Sequence, residues 1–105
     1  MGTTHDTILR DLEKKLQHPG RVVLTEHEFR LDGQHEADIL VLDNDRRYAY
    51  AIEVKTALGQ KARQKGLEQL TADKKYLQKR HHIDRVFTFL AYKFGQNYKT
   101  RRVRM

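Results

Sequence analysis

The residues His35 to Thr56, HEADILVLDNDRRYAYAIEVKT, limit what this chain can fold into more than any other stretch. Two runs of alternating apolar residues flank a polar segment, Asp43-Asn44-Asp45-Arg46-Arg47, and an Asx-rich segment in that position makes a β-hairpin the natural assignment. Side chains of a strand point alternately to its two faces. Glu53 and Lys55 therefore share a face of the second strand with Ala49 and Ala51, whose small side chains are read as leaving room above it. Tyr48, Tyr50, Ile52 and Val54 occupy the other face and look like core. Asp38 stands in the first strand, directly ahead of Ile39-Leu40-Val41-Leu42. A mid-strand acid in apolar company is costly unless it is paired or bound to a cation. Asp38, Glu53 and Lys55 are accordingly read as chemistry rather than as an exposed ion-pair ladder.

The rest of the chain supplies elements to cover this hairpin. Thr3 or Thr4 can cap a first helix running to about Gln17, with Ile8, Leu9, Leu12 and Leu16 as its apolar stripe, and His18-Pro19-Gly20 ends it. Arg21 to Leu31 reads as a strand, with Val23, Thr25, His27, Phe29 and Leu31 on one face. Its other face passes from Val22 and Leu24 to Glu26 and Glu28, and Asp32-Gly33 is a turn. Gly59 to about Lys79 has helix-forming composition around Leu67, Leu70, Tyr76 and Leu77. Arg85 to Tyr92 is a strand rich in aromatic and β-branched residues. The basic tail from Lys93 to Met105 fits either an edge strand or a basic arm. The order helix, strand, strand, strand, helix, strand predicts an α/β architecture, a small mixed sheet flanked by helices.

A length of 105 residues suits one domain with a modest core. The absence of cysteine excludes disulfides, a thiolate nucleophile and cysteine-based zinc sites. No apolar run approaches the length of a membrane span, and the N-terminal residues have no leader-like apolar region, so the chain is read as intracellular. A net charge of +7 favours a polyanionic partner, nucleic acid ahead of an anionic membrane. The six histidines are scattered, and adjacent His81 and His82 would point in different directions on a helix, so no histidine metal site is expected.

Hydrolysing a phosphodiester requires neutralised phosphate charge, an activated water and a stabilised leaving oxygen, which a carboxylate-held divalent cation can supply. Magnesium keeps several waters and needs few protein ligands, so one acid from each of two adjacent strands is a workable platform. Asp38 and Glu53 provide it, the Val54 carbonyl offers a further oxygen, and Lys55 can orient or deprotonate the water.

EADILVLD, a turn and AIEVKT together resemble the core motif of the PD-(D/E)XK nuclease superfamily, and the element order matches an αβββαβ restriction-endonuclease-like core over most of the chain. The resemblance implies Asp38 and Glu53 as ligands of Mg2+ or Mn2+ and Lys55 as the catalytic lysine. Glu36 matches a pattern of the small Holliday-junction-resolvase-like branch. Ala37 replaces the proline found before the aspartate in many members. Many members also carry an acid on the first helix. The corresponding position here is Leu9, with His5 or Asp6 a turn earlier and Glu13 a turn later as substitutes. Some branches carry a glutamine followed four residues later by a tyrosine on the second helix. Here Gln69 is followed by Asp73 at that distance and shares a face with Tyr76 two turns on.

The resulting expectation is a Mg2+- or Mn2+-dependent endodeoxyribonuclease. Lys61, Arg63, Lys65, Arg101 and Arg102 would hold the nucleic-acid backbone without sequence preference. So small a chain has little surface for reading sequence, which favours structure-selective cutting, as a homodimer or within a larger assembly. The alternatives are a non-catalytic nucleic-acid-binding module that keeps the fold and a nuclease directed at RNA.

Overall fold

The computed structural model describes residues 4–29, 36–56 and 59–105. Thr3, the strand end at Arg30 and Leu31, and the Asp32-Gly33 turn lie outside them. The elements are α1 (His5–Leu16), β1 (Arg21–Glu28), β2 (Glu36–Asp43), β3 (Ala49–Lys55), α2 (Gln60–Arg80), β4 (Val86–Phe94) and β5 (Asn97–Val103). The tail thus forms an edge strand. The five strands make one sheet in chain order; β3 and β4 run parallel across the α2 crossover, and the other neighbours are antiparallel.

The helices cover opposite faces. α1 starts at Thr4, whose hydroxyl accepts the Thr7 N–H, satisfying a donor that the first helical turn leaves open. Its stripe of Ile8, Leu9 and Leu12 packs on Ile39, Val41, Ile52 and Val54. α2 brings Leu70 and Leu77 onto Leu40, Leu42, Ala49 and Ala51. Both faces of the central hairpin are therefore buried. The face carrying Ala49 and Ala51 is not open as the sequence suggested. Small residues there let a helix settle close to the sheet instead of leaving a cleft.

Gly66 shows how close that approach is. A Cβ at this position would stand 2.9 Å from Leu90 Cδ1 and 3.6 Å from both Cγ and Cε of Lys55. Glycine inside a helix costs about 1 kcal/mol relative to alanine. Here it is what allows α2 to lie on Leu90 and the stem of Lys55.

β1 departs from strict alternation. Glu26 adopts a left-handed φ of 51°, unfavourable for a residue with a side chain. The register with β2 resumes without insertion, from Thr25 opposite Ile39 to His27 opposite Ala37. Beyond this point Phe29 packs with the α2-side cluster beside Leu24, not with Val23 as period two predicted. On β2, Ala37 likewise joins the α2-side cluster although Ile39 belongs to the α1 side. Both strands exchange faces at the level of Asp38. Glu26 and Glu28 are exposed.

Two polar clusters fix the periphery. Asp43 is buried at the hairpin turn and accepts hydrogen bonds from the Arg47 backbone N–H, Nε and Nη2 at 3.0, 3.0 and 3.3 Å. These bonds hold its carboxyl below the usual range. The Tyr98 hydroxyl donates to Asp11 Oδ2, and Lys15 Nζ donates to Tyr98 Oη at 3.2 Å, tying α1 to β5. Among the described residues no helix is long and apolar enough to cross a membrane.

Candidate active site

The β2–β3 ladder runs from Leu42 opposite Ala49 to Ile39 opposite Ile52. At the next position side chains replace the ladder. Asp38 Oδ2 accepts the Val54 N–H at 2.7 Å, and Glu53 Oε2 accepts the Asp38 N–H at 3.1 Å. Each acid thus bonds the backbone of the other's strand, which satisfies amides that would otherwise be orphaned where the strands part. The N–H and C=O of one strand residue point to the same side. The Val54 carbonyl accordingly faces this opening as well.

His5, the first residue of α1, places Nε2 3.3 Å from Asp38 Oδ2. Of the first-helix residues weighed as substitutes for an acid, it is the one brought to Asp38. Asp6 is 82% exposed, Glu13 pairs with Arg10 at 3.1 Å, and Leu9 is core. Asp38 itself is 16% exposed.

Glu53 is 0% exposed, covered by α2. Facing it is Asp73, equally buried, whose side chain hydrogen-bonds with Glu53. Burial, followed by the charge and hydrogen bond of Asp73 and the charge of Asp38, pushes the Glu53 carboxyl up to about 11. The Glu53–Asp73 pair therefore holds a proton between its carboxyls near pH 7 in this arrangement. Glu53 Oε1 and Gln69 Oε1 are both buried acceptors with no donor. Gln69 lies one turn before Asp73 on α2, so the two share a helix face.

Asp73 escaped the sequence reading as a site residue because α2 looks like a polar surface helix. Its signal was the spacing: Gly66, Leu70, Asp73 and Leu77, the helix's buried residues, recur at intervals of four and three residues. An acid on such a stripe is enclosed by the fold.

Lys55 extends along the α2 face of β3, two residues beyond Glu53. It lines a cavity of about 610 Å³ together with Arg63, Leu67, Leu90, Tyr92 and Arg101 to Arg104. Arg63, Arg101 and Arg102 are thus brought to Lys55. Lys61 and Lys65 are not; they border a separate depression with Gln60, Gln64 and Glu68. Glu36 is exposed at the start of β2, opposite Glu28. The Tyr76 hydroxyl contacts His27 Nε2 at 3.1 Å and His81 Nε2 at 3.3 Å.

Among the described residues, no three His, Cys, Asp or Glu side chains stand together at metal-ligand spacing. The donor set still suits a hard divalent cation in kind. Two carboxylates from adjacent strands converge, one buried carboxyl oxygen has no donor, and the acids repel one another when ionised. Such ions are held by one or two carboxylates plus water.

No protein-family model matches the chain, and no curated protein or solved structure matches it significantly.

Proposed function

We propose that the chain is a metal-dependent nuclease of the PD-(D/E)XK type, acting on DNA and selecting its substrate by structure, as Holliday-junction resolvases do. The observation that carries this reading is the reciprocal pairing of Asp38 and Glu53 where the ladder opens, with Lys55 on the same strand beside a basic cavity. The element order from α1 to β4, with β5 added at the edge, supports an αβββαβ core.

Asp38, Glu53 and the Val54 carbonyl would hold Mg2+ or Mn2+. Bound there, the ion would supply charge neutralisation at the phosphate and a water of lowered pKa. His5 and the Val54 N–H orient Asp38. Lys55 Nζ positions the attacking water or meets the phosphate charge. Arg63 and Arg101 hold the flanking backbone. Asp73 bears on Glu53 from α2, and the proton would be displaced to solvent by a bound cation, leaving the carboxylate free to ligate.

The test is cleavage of labelled single-stranded, duplex and four-way-junction DNA, and of RNA, with Mg2+, Mn2+ or EDTA. Metal-dependent cutting that disappears in Lys55→Ala and Asp38→Asn supports the reading, and the preferred substrate names the branch. Failure to cut any substrate with either metal overturns it.

The complete enclosure of Glu53 favours a second reading, a nucleic-acid-binding module that keeps the fold without hydrolysis. Tight binding in EDTA with no cutting under any metal would select it.

A further inference from the structure

α1 packs on β1, β2 and β3. Where it ends, Arg21 Nε donates to the Leu16 carbonyl at 2.7 Å, and the guanidinium of Arg21 lies 5.9 Å from the centre of the Tyr50 ring. From Tyr50 a continuous group of rings spreads over the same sheet face. Tyr48 is 5.2 Å from Tyr50, and Tyr50 meets Phe87 and Phe89 edge-on at 5.8 and 5.6 Å. Arg102 closes the far side, 4.9 Å over Phe87. All four rings are partly exposed.

Four adjacent rings left partly open on a sheet are more than a small core needs, and both cations that touch them are arginines. Aromatic rings on a sheet stack with bases irrespective of sequence, and arginine planes stack on bases while their charge meets phosphate. A chain of charge +7 complements a polyanion rather than a second copy of itself.

β5 links this platform to the candidate active site on the opposite face. It is an edge strand, and its successive residues Arg101 and Arg102 point to opposite faces. Both border the cavity shared with Lys55, and the Arg102 guanidinium lies on Phe87 at the other face. A backbone crossing the β5 edge would meet both.

We infer that Tyr48, Tyr50, Phe87 and Phe89, flanked by Arg21 and Arg102, form a stacking platform for unpaired bases of a single-stranded nucleic-acid segment. The inference rests on the nucleic-acid part of the proposed function and not on hydrolysis.

The test is fluorescence anisotropy in EDTA with labelled oligothymidylate and with an abasic phosphodiester chain of equal length. The wild type should prefer oligothymidylate. Phe87→Ala and Tyr50→Ala should each weaken that ligand roughly tenfold, as for the loss of a stacked base, and leave the abasic chain unaffected. Arg63→Ala should weaken both ligands alike. Because the chain has no tryptophan, Phe87→Trp provides a reporter that preserves the ring. Oligothymidylate should quench its emission, and the abasic chain should not. Equal wild-type affinity for the two ligands, or equal emission with both, overturns the inference while leaving metal-dependent cutting intact. Base-dependent binding by a protein that cuts nothing would sustain the platform and remove the nuclease.

Discussion

Glu53 on β3 and Asp73 on α2 hydrogen-bond through their side chains, each shielded from solvent by the packing of the helix on the sheet. Two acids in such a position cannot both be ionised without large cost. They hold a proton or attract a cation.

Stability should therefore fall with rising pH. The Glu53 carboxyl is raised from 4.5 to about 11, so the native state retains a proton that the unfolded state has released throughout that window. Unfolding therefore releases a proton in that window, and each pH unit removes at most about 1.4 kcal/mol. The stability is fully present below the unfolded value and lost as pH approaches the folded one. Denaturant titrations at neutral and mildly alkaline pH, without divalent cations, should show this slope, and Glu53→Gln should flatten it. An unchanged slope in the variant would place the proton elsewhere.

The same variant should lose both cleavage and any stabilisation by Mg2+ or Mn2+. A ligand that binds only the native state raises the melting temperature with concentration. Thermal melts across a metal titration should show a rising Tm for the wild type and none for Glu53→Gln.

Lys55→Ala should reduce cleavage about 100-fold or more while leaving the fold and the metal response in place. Single-turnover rates beside circular dichroism separate these effects. A rate within a few-fold of wild type would remove Lys55 from the chemistry.

Gly66→Ala should change stability by less than about 1 kcal/mol, because the shift it forces on Leu90 Cδ1 opposes the better helix propensity of alanine. Combining it with Leu90→Ala should cost less than the sum of the two single changes, since the smaller residue makes room for the new methyl. Urea denaturation of the four proteins measures the coupling.

Arg63→Ala and Arg101→Ala should each lower the salt dependence of DNA binding by about one unit in the log–log slope, as expected for one lost phosphate contact. Lys61→Ala, outside the cavity, should change it less.

Much of this arrangement is legible in the amino-acid sequence. The Thr4 cap, the α1 stripe, the hairpin and the placement of Asp38 follow from local periodicity and turn chemistry, which act over a few residues. Three features depend on contacts between distant parts of the chain. Asp73 is enclosed because Gly66, Leu70 and Leu77 turn its side of α2 inward. Phe29 changes face after Glu26 takes a left-handed conformation, which no composition rule anticipates for glutamate, and Ala37 on the paired strand changes face at the same level. The tail pairs as β5 although its many charges equally suit a solvated arm; Tyr98 and Val103 anchor it to the two cores.

The nearness of α2 at Gly66 to the stem of Lys55 also bears on timing. A lysine side chain free in solvent samples many rotamers, and fixing them costs up to about 2 kcal/mol. With room for little more than a methyl group between α2 at Gly66 and its Cγ and Cε, part of that freedom is already gone before any ligand arrives. In the proposed nuclease the ammonium would then meet a phosphate with less disorder to lose, and the closeness of a helix to a sheet would become a matter of readiness at the encounter.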